Sequence, residues 1–194
     1  MHRDYKIILA SGSPRRQQFL KDLGINVEIR LKEIEEIYPE NLKGEEITNY
    51  LAELKAKAFD GELAKNELLI TSDTIVWLDG KALGKPKDYD DAFQILKSLS
   101  NKTHQVITSV CFKTIEKTDV IFDVTKVTFT TLSNESIRYY LENYKPFDKA
   151  GAYGIQEWIG LIGISKIEGS YTNVVGLPTE KVYQYLTLGI VNNL

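Results

Sequence analysis

A mixed α/β fold is predicted by three features of this 194-residue chain: strand-like and helix-like patterns alternate along it, turn residues separate them, and no repeat or low-complexity tract interrupts the alternation. Hydrophobic residues make up 43% of it, enough to bury a sizeable core, so one domain over residues 1–194 is expected, with room for two lobes. The elements follow in order. Lys6 to Ala10 is a short apolar run suited to a buried strand, and Ser11-Gly12-Ser13-Pro14 breaks it. Ser13 can cap the next helix, and Pro14 suits its first position because the missing N–H would have no partner there; this helix is predicted from Ser13 to Leu23. Apolar residues at helical spacing predict further helices over Glu45–Asn66, Asp88–Ser100, Ser133–Tyr144 and Thr179–Leu188. Between them, Leu68–Leu78 and Lys81–Leu83 flank the tight-turn dipeptide Asp79-Gly80 and read as a hairpin. His104–Thr114 and Val120–Leu132 form a second antiparallel pair, with polar residues alternating along TKVTFTTL. Asn101, after the helix ending near Ser100, tolerates the left-handed backbone often needed there.

Charge and cysteine usage narrow the function. A net charge of −3 argues against broad attraction to nucleic acid or an anionic membrane, so any polyanion must meet a local cluster of cations. The N-terminus has no signal-peptide apolar core, and no run approaches the ~18 apolar residues of a spanning helix. The single cysteine excludes an internal disulfide and a cysteine zinc cage. The cytoplasm is the expected compartment. Cys111, inside the alternating stretch VITSVCFKT, reads as a small core residue rather than a nucleophile.

The opening KIILASGSPRRQQFL has the layout of an anion site. A phosphate near this helix start would meet unpaired backbone N–H groups, the positive end of the helix dipole, the hydroxyls of Ser11 and Ser13, and the guanidinium of Arg15 or Arg16. The plainer alternative is a capped helix with surface arginines. Asp73 breaks the apolar run LLITSDTIVWL, and a carboxylate in a half-buried strand is costly unless paired, hydrogen-bonded or bound to metal. It could equally cap a turn at the strand end. Glu33, Glu35 and Glu36 crowd one segment and read as a solvated face unless cations oppose them. Lys85 follows the hairpin on the turn Leu83-Gly84-Lys85-Pro86, which could aim an ammonium at phosphate, whereas Lys55, in YLAELKAKAF, reads first as a surface lysine. In the segment Asp148 to Gln156, small residues surround Tyr153 and permit close approach of a ligand; Gln156 could read a base edge with its donor and acceptor. A tight turn into the next strand is the alternative. Glu168-Gly169-Ser170-Tyr171 and Val175-Gly176-Leu177-Pro178 supply another turn and a proline-marked helix start.

The segments LASGSPRR, SDTIV, LGKP, THQVITSV, DKAGAYGIQ, GSY and VGLP, in this order from Ile8 to about Leu186, resemble the Maf family of nucleotide pyrophosphatases. The resemblance implies an elongated mixed β-sheet with flanking helices and two lobes around a central nucleotide-binding cleft. It further implies hydrolysis of nucleoside triphosphates to monophosphate and pyrophosphate with a divalent cation, Mg²⁺ or Mn²⁺, in a homodimer; the charge balance leaves neither nucleic acid nor membrane as an expected partner. Arg15, Thr74 and Gln156 match the branch acting on dTTP and UTP, and so carry substrate specificity. Asp73 corresponds to the proton acceptor; Ser11, Arg16, Glu36, Lys55 and Lys85 fall on positions of the catalytic or phosphate-binding cleft. Glu157 departs from the glycine that commonly follows GIQ, and Trp158 to Ile162 depart from the usual glycine-rich continuation.

The residue chemistry suits this reaction. Ser11, Ser13, Arg15, Arg16, Lys55 and Lys85 would bind and shield a triphosphate of about four negative charges. Asp73, aided by Glu36, would orient or deprotonate the attacking water and hold the metal; which carboxylate is the base stays open. Two other readings stand beside it: a house-cleaning enzyme for modified pyrimidine nucleotides, and a nucleotide-binding regulator of septum formation without turnover.

Overall fold

The computed structural model describes residues 5–188. Its elements are β1 (Lys6–Leu9), α1 (Pro14–Asp22), β2 (Val27–Ile29), α2 (Glu45–Lys57), β3 (Glu67–Leu78), β4 (Lys81–Leu83), α3 (Tyr89–Leu99), β5 (Thr103–Lys113), β6 (Thr118–Phe129), α4 (Asn134–Tyr144), α5 (Trp158–Gly163), β7 (Ile164–Glu168), α6 (Tyr171–Val175) and α7 (Thr179–Leu188). The strands form one mixed seven-stranded sheet in the order β2-β1-β3-β5-β6-β7, with β4 paired to β3. β1 is parallel to β2 and to β3, while β3–β4 and β6–β7 are antiparallel. The chain divides into two compact units. The first holds the described residues up to Asp73, Thr108–Asp123 and those from Gly176 onward; the second holds Thr74–Ile107 and Val124–Val175.

The period-2 geometry of strands explains the core of the first unit, because neighbouring side chains leave opposite faces. Leu9, Leu68 and Ile70 pack with Leu20 of α1 and with Val182 and Leu186 of α7. Ile8 and Leu69 pack on the other face with Ala52 and Ala56 of α2, Phe59 and Cys111. Both faces are covered, so the first half of β3 is apolar on both sides, from Leu68 to Ile70, as a central parallel strand should be. Cys111 is a core residue as expected, and burial pushes its thiol up to about 12. In the second unit, β3 supplies Val76 and Leu78, which pack with Leu96 and Leu99 of α3, Phe129 of β6, and Ile137, Tyr140 and Leu141 of α4.

Local chemistry sets most boundaries. Asp88 caps α3 by accepting from the Asp91 amide at 2.8 Å, and Ser133 caps α4 by accepting from the Ser136 amide at 3.1 Å. Asp79 and Gly80 have φ of 49° and 79°, the mirror-image turn expected of Asp-Gly in a two-residue hairpin, and Asn101 takes the left-handed φ of 57°. Thr114 to Lys117 close the β5–β6 connection through an amide-to-carbonyl bond of 2.8 Å, a turn that only antiparallel neighbours permit.

Three expectations need correction. The second helix stops at Lys57 instead of continuing to Asn66, because the chain turns through Ala58–Asp60 and Gly61 takes φ of 78°. Ser13 stands at the cap position of α1, but its hydroxyl makes no cap bond; its amide donates to Ser11 Oγ at 3.3 Å. Four elements, β2, α5, β7 and α6, were not predicted: each spans six residues or fewer, too short for a periodic signal.

Candidate active site

The first unit gathers the residues of the SGSPRR segment and two acidic positions around one strand end. β1 ends where Ala10 donates to the Ile70 carbonyl at 2.9 Å, and the chain turns through Ser11-Gly12-Ser13 into α1 with Pro14 at its start. Two side chains of α1 then fold back on this turn. Gln17 Nε2 donates to the Ser11 carbonyl at 3.1 Å, and Arg16 Nη1 donates to Ser11 Oγ at 3.4 Å. Arg16 reaches further: Nη1 also donates to the Ser72 carbonyl at 2.9 Å and Nε to the Gly176 carbonyl at 2.8 Å. One guanidinium therefore ties three distant segments, as only a planar fork of fixed donors can. Burial pulls its pKa below the ordinary arginine value; the charges of Asp73 and Glu36 oppose that pull, and Arg15 adds to it.

Asp73 is 7% exposed on β3, and Lys55 Nζ lies 2.6 Å from its Oδ1. The same ammonium is 3.0 Å from Glu36 Oε1 and 3.4 Å from the Ser72 carbonyl. Lys55 is thus no ordinary surface lysine; it neutralises a buried carboxylate that would be costly alone. Its helix is held for the task by buried polar ties: Thr71 Oγ1 donates to the Ala52 carbonyl at 2.6 Å, and the Thr48 and Ser109 hydroxyls meet at 2.6 Å. Glu36 is the member of the acidic segment that finds a cation here, and it remains about half exposed. Two carboxylates thus share one ammonium beside a half-buried arginine, which brings both signs of charge to one strand end.

The second unit carries Thr74, Lys85 and Gln156. Thr74 is half-buried on β3, directly after Asp73; Lys85 and Gln156 are exposed. The turn bearing Lys85 is fixed by the Gly151 amide, which donates to the Gly84 carbonyl at 3.0 Å. Gly151 has φ of 69°, and a Cβ there would stand 2.6 Å from Val76 Cγ2, so this loop position requires glycine. Tyr153 is buried, its hydroxyl 2.7 Å from His104 Nε2, in edge contact with Phe129. Burial lowers the His104 pKa to about 4.

The residues 6–188 match the family described as Maf-like protein. The chain belongs to the Maf family. Its relatives within the family are close: a protein of Flavobacterium psychrophilum named dTTP/UTP pyrophosphatase is 73% identical over 181 residues, covering 93% of both chains. A protein of the same name from Flavobacterium johnsoniae is 70% identical over 185 residues, covering 95% of both. A crystal structure of a nucleoside-triphosphatase, dITP/XTP pyrophosphatase, from Mycobacterium abscessus aligns over 91% of both chains at 16% identity and a TM-score of 0.45.

Several supporting residues of this Maf chain escaped the sequence reading. Gln17 and the Ser72 and Gly176 carbonyls organise the turn at Ser11, yet a helix-surface glutamine and backbone atoms carry no sequence signal. Tyr140 reads as a core aromatic of α4; its hydroxyl is the one hint that it needs a polar partner.

Proposed function

We propose that this chain hydrolyses dTTP and UTP to the nucleoside monophosphate and pyrophosphate. The observation that carries this reading is the Asp73–Lys55–Glu36 cluster beside the Arg16-tied turn, joined to an identity of 73% with a relative named dTTP/UTP pyrophosphatase. In the reaction a water oxygen attacks the α-phosphorus, the bond from that phosphorus to the bridging oxygen breaks, and pyrophosphate leaves. Asp73 accepts the proton of the attacking water, a role open to a carboxylate that Lys55 pairs and holds in place. Ser11, Ser13, Arg15 and Lys85 bind the phosphates, with Arg16 shaping the turn and adding charge. Gln156 reads the pyrimidine edge, whose adjacent carbonyl and N–H one carboxamide satisfies together, and Thr74 and Arg15 assist selection.

A divalent cation, Mg²⁺ or Mn²⁺, fits the donor set: Asp73 and Glu36 each put an oxygen within hydrogen-bond distance of one nitrogen, and phosphate oxygens and waters would supply the remaining ligands. When bound, it neutralises charge on the phosphates. No helix among the described residues is long and apolar enough to cross a membrane. A cytoplasmic homodimer is the proposed working form.

The test is a panel of nucleoside triphosphates with Mg²⁺ or Mn²⁺, in which pyrophosphate, monophosphate and orthophosphate are measured separately. Pyrophosphate release from dTTP and UTP is expected, falling about 10²–10⁴-fold in Asp73→Asn while folding stays largely intact. Orthophosphate as the product, or full activity in folded Asp73→Asn, overturns the reading. Gln156→Glu should shift preference among the bases, since a carboxylate has no N–H to donate.

A further inference from the structure

Gln156 is the one exposed residue between Gly151 and Glu157, and the residues around it are anchored from beneath. Its neighbour Glu157 turns inward. Glu157 Oε2 accepts a hydrogen bond from the Tyr140 hydroxyl, and Oε1 lies 3.2 Å from Lys149 Nζ. The Tyr140 hydroxyl in turn accepts from the Gly154 amide at 3.0 Å, while the Glu157 amide donates to the Gly154 carbonyl at 3.0 Å. Lys149 also pairs with Asp148 at 2.8 Å. Tyr140 is fully buried and Lys149 only 9% exposed, so these are charge-assisted bonds in a poorly solvated place, where each lost partner strands another. A Cβ on Gly154 would lie 2.9 Å from Glu157 Cδ and 3.1 Å from Gln156 Nε2; both side chains therefore lie across the bare backbone of Gly154.

This arrangement does more than close a turn. It fixes the chain at Lys149, Gly154 and Glu157, on either side of the one side chain that points outward. A carboxamide that must discriminate a base by two hydrogen bonds gains from such fixing, because ordering a free loop on binding would cost affinity for every substrate it reads. We propose that Tyr140, Lys149 and Glu157 form a clamp that holds Gln156 in its base-reading orientation, making Tyr140 and Glu157 positioning residues for pyrimidine selection. The inference rests on the assignment of Gln156 to base recognition.

Two conservative variants test it: Tyr140→Phe removes one hydroxyl, and Glu157→Gln keeps the shape while removing the charge that faces Lys149. Expected for each is a rise in KM for dTTP and UTP of about tenfold with kcat within twofold, the split that looser positioning without damaged chemistry produces. In a Gln156→Ala background, Tyr140→Phe should add no further rise, because the clamp acts through that side chain. Hydrogen exchange at the Gly154 amide, read without substrate, should quicken about tenfold or more in Tyr140→Phe. Unchanged KM in both folded variants, an undiminished effect in the Gln156→Ala background, or unchanged Gly154 exchange overturns the clamp. Absence of pyrophosphate release by the wild-type protein from any nucleotide would instead defeat the proposed function, and the exchange measurement would still decide whether the loop is clamped.

Discussion

Arg15 and Arg16 are chemically identical neighbours, yet a helix turns by about 100° between them, so they face different surroundings. Arg16 faces inward and bonds carbonyls at residues 72 and 176 with Ser11 Oγ between them. A lysine there keeps the charge but loses the fork, and would satisfy one carbonyl where arginine satisfies two. Arg16→Lys is therefore expected to lower unfolding stability by about 2 kcal/mol, the worth of one charge-assisted bond in a partly buried site, as measured by urea titration. Activity should fall with it, since the Ser11 turn loses its tie. The sequence SGSPRR made the strand-to-helix turn legible, because serine and proline each carry a local signal there. Which arginine turns inward was not legible, since its partners lie 56 and 160 residues away. The same holds for Lys55: its helix was evident, but only the fold brings Asp73 and Glu36 onto its ammonium.

At the scale of elements, the strongest sequence signals were those whose chemistry is complete within a few residues. Asp79-Gly80 fixed a hairpin and Asp88 and Ser133 fixed helix starts, because each acts on its own backbone. β2, β7 and α5 derive their existence from neighbours: β2 is three residues paired to β1, and β7 is an exposed strand of ISKIE paired to β6. The loop around Gly151 lies between these cases. Its glycines marked a close approach, and at Gly151 the close neighbour is Val76. Gly151→Ala places a methyl 2.6 Å from that valine on a backbone with φ of 69°. Overpacking and left-handed strain together should cost about 2–4 kcal/mol, read as a lowered Tm. Because the Gly151 amide holds the Gly84 carbonyl beside Lys85, KM for triphosphate should rise in the same variant.

Acid sensitivity is a property of the whole molecule, and each unit contributes its own group to it. In the second unit His104 is neutral and buried against Phe129 and Tyr153, with a pKa lowered by burial from 6.5 to about 4. Between those values the unfolded chain takes up a proton that the folded chain refuses, so stability falls as pH drops from about 6.5 to about 4 and then levels. The loss is bounded at about 3 kcal/mol, from 1.36 kcal/mol per unit. In the first unit Glu67 is held at about 2 chiefly by Arg30, whose Nη1 and Nη2 donate to its two oxygens at 3.1 and 2.8 Å. That contribution is complete above the ordinary glutamate value of 4.5 and disappears as pH falls from there to about 2. The two windows scarcely overlap, so acid should weaken the second unit before the first. Hydrogen exchange resolved by segment at pH 7, 5 and 3 reads this directly: residues 124–175 should lose protection between pH 7 and 5, and β1 and the start of β3 only between pH 5 and 3. His104→Gln removes the titrating ring and should flatten the first stage while leaving the second in place. A first stage that persists in this variant would mean that another group in the second unit takes up the proton.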